Sequence, residues 1–189
     1  MKTEDFLSSG MHIGMKQQTK DMKRFIYKIR DDGLAILDLK KIQERIEIAA
    51  NYLSKLERIL VVSRKPTAKK AIEEFAKAVG GKAVAGRFLP GTITNPSFKE
   101  YYEPEVVIVT DPYIDKQAVK EAVKMRIPIV ALCDTFNETS LIDLVIPVNN
   151  KGRKALAMTF YMLATEILKK RGKETKLNYE DFEVKKKAK

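Results

Sequence analysis

Two acidic loops in the middle of the chain carry the residue types best suited to chemistry. The first, residues 110–112, and the second, residues 134–135, each follow an apolar run, and an amphipathic helical segment joins the two runs. This pattern predicts a βαβ unit with both loops at the carboxyl edge of a parallel sheet, where open α/β proteins usually hold their ligands. The polar residues in these loops are Thr110, Asp111, Asp134 and Thr135. Asp111 and Asp134 could together hold Mg²⁺ beside a nucleotide or a sugar phosphate.

The turn after the first predicted parallel strand favours a different role for these aspartates. A nucleotide-binding protein carries its glycine-rich phosphate loop there, but residues 63–67 read SRKPT and contain no glycine. Neither a Walker loop nor a dinucleotide fingerprint is present. We therefore expect Asp111 and Asp134 to cap loops or hold the hairpin, and we predict no catalytic residue, no cofactor and no metal.

The single histidine and the single cysteine exclude several site classes. One cysteine allows no disulfide framework, and one histidine with one cysteine makes no Cys/His metal cluster. His12 lies in a turn bounded by Gly10 and Gly14. A catalytic histidine needs an orienting acid and a nucleophile, and the sequence shows neither. His12 is predicted to be a positioned loop residue that hydrogen-bonds backbone or RNA.

The charge of the chain is large and uneven. The formal net charge is +11, yet residues 104–148 carry four Lys/Arg against seven Asp/Glu, a net of −3, and residues 169–189 carry nine against four, a net of +5. This imbalance predicts a polyanionic partner that meets some surfaces and not others. A lysine-rich thermophilic protein is the alternative, but it explains abundant charge rather than imbalance.

Three segments could contact nucleic acid. Residues 16–30 mix cations with aromatics, which suits phosphates and unstacked bases. The alternative for this segment is a strand with Phe25, Tyr27 and Ile29 facing inward, and the two interpretations are compatible. The loop 86–96 is rich in glycine, proline and hydroxyls, so it could be a stiff structural loop or a phosphate contact. The candidate RNA-binding residues are Lys16, Lys20, Lys23, Arg24, Arg30, Arg64, Lys65, Arg87, Thr92, Thr94, Asn95, Asn149, Asn150, Lys151, Arg153 and Lys154.

The third segment, residues 149–154, opens the last predicted helix. Asn149 and Asn150 are plausible N-caps. Lys151, Arg153 and Lys154 follow them, although the helix dipole disfavours cations at an N-terminus unless an anion also binds there. This makes the segment a candidate phosphate contact.

The predicted elements that position these residues form a doubly wound α/β domain. The pattern indicates a hairpin over 24–39 and parallel strands at 59–62, 82–85, 106–109, 127–132 and 144–146, with helices at 40–56, 67–79 and 115–125 and from about 151 onward. We expect one domain over 1–173 and a basic tail over 174–189 that is disordered alone and orders on a partner. No apolar run approaches the ~20 residues of a membrane span and no signal peptide is visible, so a cytoplasmic protein is predicted.

Several long motifs resemble one family. They are SGMHIG (9–14), TKDMKRFI (19–26), DDGL (31–34), GRF (86–88), GTITNP (91–96), VTDP (109–112), IPIVALCDT (127–135) and NNKGRKAL (149–156). In this order they resemble the archaeal form of the small-subunit ribosomal protein S-two, the family that includes eukaryotic ribosomal protein SA. The segment 85–104 is too short for the helical-hairpin protrusion of the bacterial form.

The resemblance implies a fold and a set of partners. It implies a flavodoxin-like three-layer α/β/α sandwich with a five-stranded parallel sheet of order 2-1-3-4-5 and an N-terminal β-hairpin. It implies a structural role in the small ribosomal subunit, with ribosomal RNA and neighbouring ribosomal proteins as partners, no small-molecule substrate, no membrane and no enzymatic activity. The alternative is a flavodoxin-like nucleotide or sugar-phosphate enzyme that uses Asp111 and Asp134.

Overall fold

The computed structural model describes residues 3–173 and 177–183. The strands are β1 (Ile26–Ile29), β2 (Ala35–Leu37), β3 (Ile59–Ser63), β4 (Lys82–Ala85), β5 (Val106–Val109), β6 (Ile129–Cys133) and β7 (Leu144–Pro147). The helices are α1 (Thr3–Ser9), α2 (Leu39–Leu53), α3 (Lys69–Val79), α4 (Lys116–Lys124), α5 (Arg153–Lys170) and α6 (Tyr179–Phe182). Within these described ranges, none of the helices is both long and apolar enough to cross a membrane.

Five parallel strands form the central sheet, in the order β4-β3-β5-β6-β7. Numbered within the sheet, this is the predicted order 2-1-3-4-5, and the prediction is confirmed. Val61 of β3 lies between Ala83 of β4 and Ile108 of β5. Every residue of β3, β5 and β6 is buried, which explains why their sequences are continuous apolar runs without alternation.

Helices cover both faces of the sheet. The connection through α3 runs from β3 to β4 and the connection through α4 runs the opposite way, from β5 to β6. Because such crossovers are right-handed, α3 and α4 lie on opposite faces. Helix α5 packs against both α2 and α3, with the Phe75 and Phe160 rings 5.4 Å apart. The result is the predicted three-layer sandwich.

The N-terminal hairpin forms as predicted, but its inward face was predicted wrongly. β1 pairs antiparallel with β2, and Lys23–Phe25 is a 3-10 turn before β1. Phe25 is buried, whereas Tyr27 and Ile29 are 71% and 55% exposed. A two-stranded hairpin has one face for the core, and only the residues nearest the domain reach it. Tyr27 and Ile29 therefore point to solvent on a surface that is also basic.

Part of the predicted C-terminal tail is packed against the domain. Helix α6 contacts α3 and α5, and Phe182 is only 1% exposed with its ring 5.7 Å from that of Tyr161. The Lys70 ammonium donates to the carbonyls of Glu180 and Glu183 at 3.2 and 3.1 Å. Residues 177–183 of the predicted tail are thus packed on the domain, because two or three apolar side chains suffice to anchor a short segment. Residues 174–176 and 184–189 lie outside the described residues.

Candidate functional site

A buried ion pair occupies the carboxyl edge of the sheet, where β3 and β5 end side by side. The Lys65 ammonium lies 2.7 Å from Oδ2 of Asp111, and the two side chains are only 10% and 1% exposed. The same ammonium donates to the backbone carbonyl of Asn150 at 2.6 Å and to its Oδ1 at 3.0 Å. The contact with Asp111 is an ion pair without hydrogen-bond geometry, because Oδ2 of Asp111 has no hydrogen-bond partner among the described residues. The two hydrogen bonds of the ammonium both go to Asn150.

Two asparagine side chains complete this arrangement. Nδ2 of Asn137 and the backbone N–H of Tyr113 both donate to Oδ1 of Asp111 at 3.0 Å. Nδ2 of Asn150 donates to Oδ1 of Asn137 at 3.1 Å. We call Lys65, Asp111, Asn137 and Asn150 the buried polar cluster. Its members come from four separate loops, so their hydrogen bonds hold together the edge at which a ligand would otherwise sit.

The N-terminal segment covers the end of β6. Oγ1 of Thr135 accepts from the N–H of Met15 and donates to the carbonyl of Gln17, both at 2.9 Å. The N–H of Thr19 donates to the carbonyl of Thr135, also at 2.9 Å. A Cβ on Gly14 would lie 2.5 Å from Cγ2 of Thr135, so only glycine permits this close approach. The second acidic loop is thereby closed by residues 14–19.

The two aspartates that the enzyme hypothesis assigned to a ligand, Asp111 and Asp134, therefore accept hydrogen bonds from other residues of the protein. Oδ1 of Asp134 accepts from the N–H of Thr135 at 2.7 Å. Burial raises the pKa of Asp134, an effect opposed by the charges of Lys151 and Lys65. Among the residues that the structure describes, no group of three His, Cys, Asp or Glu side chains could hold a metal ion. The geometry supports the structural interpretation of Asp111 and Asp134 over a nucleotide site.

A buried glutamate, which the sequence did not reveal, holds the loop 86–96. The Glu121 carboxylate is 4% exposed and accepts from the N–H groups of Gly91 and Ile93 at 2.9 and 3.4 Å. It also accepts from Oγ1 of Thr94 at 3.3 Å and Nε2 of Gln117 at 2.9 Å. In the sequence, the signal for this role was an acidic residue, Glu121, on the apolar stripe of the helix α4. The hydroxyl groups of this loop therefore stabilise the loop itself through internal hydrogen bonds.

A third aspartate links the ends of β3 and β5. Oδ1 of Asp115 accepts from the N–H of Arg64 at 2.8 Å, and Oδ2 accepts from Oγ1 of Thr110 at 3.2 Å. Asp115 is 3% exposed. Burial raises the pKa of its carboxyl from 3.8 to about 6, and the negative charge of Asp111 acts in the same direction.

This raised pKa predicts a specific pH dependence of stability. Because the folded state binds the Asp115 proton more tightly than the unfolded state, stability should fall as pH rises from about 4 to about 6 and level off above that, by roughly 3 kcal/mol in total. The Asp115→Asn variant keeps the same shape without the titration. We expect the wild type to lose stability relative to the variant as pH rises across this window, as measured by the free energy of unfolding in urea. A difference that stays constant with pH would contradict the raised pKa.

The structure sorts the predicted RNA-binding residues by exposure. Lys65, Thr92 and Asn150 are largely or fully buried in internal contacts, so we leave them out of any contact surface. Thr94, Asn149 and Arg153 are half-buried. The exposed residues are Lys16, Lys20, Lys23, Arg24, Arg30, Arg64, Arg87, Asn95, Lys151 and Lys154. Arg30 forms an ion pair with Asp32 at 3.4 Å.

Two of the basic segments, far apart in sequence, meet at the carboxyl edge. Nζ of Lys151 lies 2.7 Å from Sδ of Met15, a contact across 136 positions, and 4.7 Å from the centre of the Phe136 ring. The N–H of Asn149 donates to the carbonyl of Met11 at 2.9 Å. The chain segment that carries Lys16 and Lys20 therefore passes beside the start of α5, where Lys151 lies. We call Lys16, Lys20, Lys151 and Lys154 the carboxyl-edge cations.

A second pair of cations converges beside them. Arg64, after β3, and Arg87, after β4, line one hollow of about 210 Å³ together with Ile114 and Gln117. Neither guanidinium bonds another residue in the part of the chain that the structure describes. The sequence suggested each arginine separately and gave no sign that they face the same hollow.

The start of α5 differs from the prediction in its cap. Gly152 is the N-cap residue, while Oδ1 of Asn149 accepts from the N–H groups of Lys151 and Gly152 at 3.0 and 3.1 Å. Asn150 is instead drawn into the buried polar cluster. The prediction that Asn149 or Asn150 caps the helix was wrong, because each amide has a stronger tertiary or turn partner. The cations at 151–154 still lie where the helix dipole is unfavourable to them.

His12 contacts the hairpin through its backbone. Its carbonyl accepts from the N–H of Leu37 at 2.8 Å, which ties the N-terminal segment to the hairpin. Burial lowers the pKa of the imidazole, so the ring is neutral near pH 7. Nδ1 has no hydrogen-bond partner among the described residues.

Comparison with known proteins agrees with the resemblance in the motifs. A family model described as Ribosomal protein S2 matches residues 6–101 and 97–169. A protein of Haloquadratum walsbyi named Small ribosomal subunit protein uS2 is 49% identical over 183 residues, which cover 96% of this chain and 66% of that protein. One of Methanococcus maripaludis with the same name is 47% identical over 184 residues, which cover 95% of this chain and 84% of that protein. The chain thus spans just under two thirds of the length of the Haloquadratum walsbyi protein.

These matches include the sheet, the buried polar cluster and the carboxyl-edge cations, all of which lie within residues 6–169. The chain belongs to the ribosomal protein S2 family.

Proposed function

We propose that this chain is a structural constituent of the small ribosomal subunit that binds ribosomal RNA through the carboxyl-edge cations, with Arg64 and Arg87 beside them. The observation that carries the proposal is the contact between Lys151 and Met15, which brings the segment bearing the exposed Lys16 and Lys20 to the start of α5. Cations on neighbouring exposed segments repel one another, and a polyanion offsets that cost.

The orientation of α5 supports an anionic partner at this edge. Lys151, Arg153 and Lys154 sit at the N-terminus of a helix of 18 residues, where the macrodipole is positive. A phosphate group in front of this terminus would meet both the backbone N–H groups and the lysines. The exposed Tyr27 and the neighbouring Lys28 on the hairpin offer a further surface on which an unpaired base could stack.

We further propose that the chain has no catalytic role, takes no cofactor or small-molecule substrate, and works in the cytoplasm beside neighbouring ribosomal proteins. The buried polar cluster supports this, because it fills the position of a flavodoxin-like ligand site with internal hydrogen bonds. Membership of a family of structural ribosomal proteins supports it independently.

Salt dependence tests the RNA contact. About four to six phosphate contacts should make the logarithm of the binding constant fall with the logarithm of salt at a slope of roughly −3 to −5, a loss of about 10²–10³-fold between ~50 and ~200 mM salt. Filter binding of small-subunit ribosomal RNA measures this, and sedimentation with small subunits from cell extract checks the assembly. A flat salt response, or absence from the subunit fraction, would overturn the proposal.

A further inference from the structure

A continuous groove lies between α4 and the loop that joins β6 to β7. Two cavities of about 630 and 380 Å³ adjoin there and share Ser140, Leu141 and Ile142 as lining residues. One end is bounded by Tyr113 and Phe136 at the carboxyl edge of the sheet. The groove follows α4, whose nine residues span about 13 Å at 1.5 Å per residue.

The floor of this groove is apolar and open to solvent. Tyr113 is 76% exposed, Leu141 52% and Val123 43%, although the core has buried nearly every comparable side chain of the sheet. The Tyr113 and Phe136 rings meet edge to face at 6.2 Å and leave the remaining surface uncovered. These exposed apolar side chains lie side by side along one groove, where a partner could cover them together.

The two walls of the groove differ in charge. On the α4 side, Lys116 and Arg126 line it, and Lys120 lies one helical turn after Lys116. None of these three cations forms an ion pair within the described residues. The carboxylates, Glu138 and Asp143, lie on the loop side. Lys151 also lines the groove, at its carboxyl-edge end beside Phe136. Beyond that end the lining cations lie on the α4 side, even though residues 104–148 as a whole carry a net charge of −3.

We propose that this groove docks an amphipathic segment of another protein, with apolar side chains on the floor and acidic side chains facing α4. Away from the Tyr113 and Phe136 rings, the floor at Leu141, Val123 and Ile142 is aliphatic and provides no stacking plane for a base. RNA that followed this stretch would also bring phosphates close to Glu138 and Asp143. An amphipathic helix or strand meets both constraints, because it can present carboxylates along one flank only. The groove shares Lys151 with the carboxyl-edge cations at one end. Lys116, Lys120 and Leu141 lie outside that set, so variants at these three residues test the groove and leave the cations of the proposed RNA contact in place.

Cysteine labelling of the free protein tests the proposal. The native Cys133 is buried, so a maleimide reagent reports on an introduced cysteine alone. Leu141→Cys places it on the groove floor, and Leu7→Cys, at 51% exposure against 52%, is the matched control. The first probe is a helical peptide of about 12 residues, roughly 18 Å long, with leucines on one face and glutamates on one flank. The second is the same peptide with lysines in place of the glutamates. The third is a mixed-sequence single-stranded RNA, and the fourth is unlabelled wild-type protein.

The acidic peptide, at tenfold excess over its Kd, should slow labelling of Leu141→Cys by about elevenfold and leave Leu7→Cys unchanged. The paired substitution Lys116→Glu with Lys120→Glu should abolish this protection and transfer it to the lysine peptide. No protection by the acidic peptide, or protection that survives the charge reversal, would overturn the proposal. Equal or better protection by RNA, or by unlabelled wild-type protein, would assign the groove to RNA or to a second copy and overturn it equally.

Discussion

Replacing Lys65 by alanine is expected to lower the free energy of unfolding by about 3–5 kcal/mol. The substitution removes the ammonium that lies 2.7 Å from Asp111 and that also holds both oxygens of Asn150. Asp111 would remain 99% buried as an uncompensated carboxylate, which is the costly half of breaking a buried pair. Urea denaturation near pH 7 measures the loss.

Two variants control this prediction. Arg64→Ala removes the adjacent exposed cation and should change stability by no more than about 0.5 kcal/mol. Lys65→Met combined with Asp111→Leu removes both charges and should recover most of the loss, since replacing a whole buried pair by apolar residues is often neutral. If Lys65→Ala alone costs less than about 1 kcal/mol, the pair does not hold the edge together and the cluster is less important than its geometry indicates.

Removing the carboxyl-edge cations is expected to reduce RNA binding more than removing the same number of charges from the C-terminus. The variant with alanine at Lys16, Lys20, Lys151 and Lys154 should lose about three to four from the magnitude of the salt slope, because each phosphate contact contributes about 0.9. These lysines stand on segments already fixed by backbone hydrogen bonds at Thr135 and Met11. Ordering them on RNA therefore costs little conformational entropy.

Deletion of residues 185–189 is the matched comparison, because it also removes four lysines. The sequence of this segment predicts that it must be ordered on binding, and the entropy lost on ordering reduces the binding free energy gained from each of its contacts. Filter binding of both variants and wild type at several salt concentrations gives the slopes directly. A larger loss from the deletion than from the fourfold alanine variant would make the C-terminus the anchor and place the RNA surface elsewhere. Circular dichroism of both variants checks that the fold is intact.

Elements of the sheet were predictable because their signals are local. Each parallel strand is a run of apolar residues too short for a helix, and α3, α4 and α5 show helical spacing over several turns. Predicted bounds agree with the structure to within about three residues, the usual imprecision of element ends. The strand order came from the family resemblance, since pairing between strands distant in sequence leaves no local pattern.

The candidate site was predictable only in part. Asp111 and Asp134 were correctly placed at strand ends, but their role depended on Lys65, Asn137 and Asn150, whose individual positions carry no pattern. The inward face of the hairpin was mispredicted, and the packing of α6 was not foreseen, for a related reason. Whether Tyr27 or Phe182 is buried depends on which other element lies against it.

By itself, the sequence determined that this chain is a basic doubly wound α/β protein without a phosphate loop, and its motifs identified the family. Only the tertiary structure decided that Lys65 closes the ligand position, that Lys16 and Lys20 join Lys151 on one edge, and that α4 carries an open apolar groove. The physical reason is that apolar periodicity acts over neighbouring residues, whereas ion pairs and hydrogen bonds between loops arise where the sheet brings distant strand ends together.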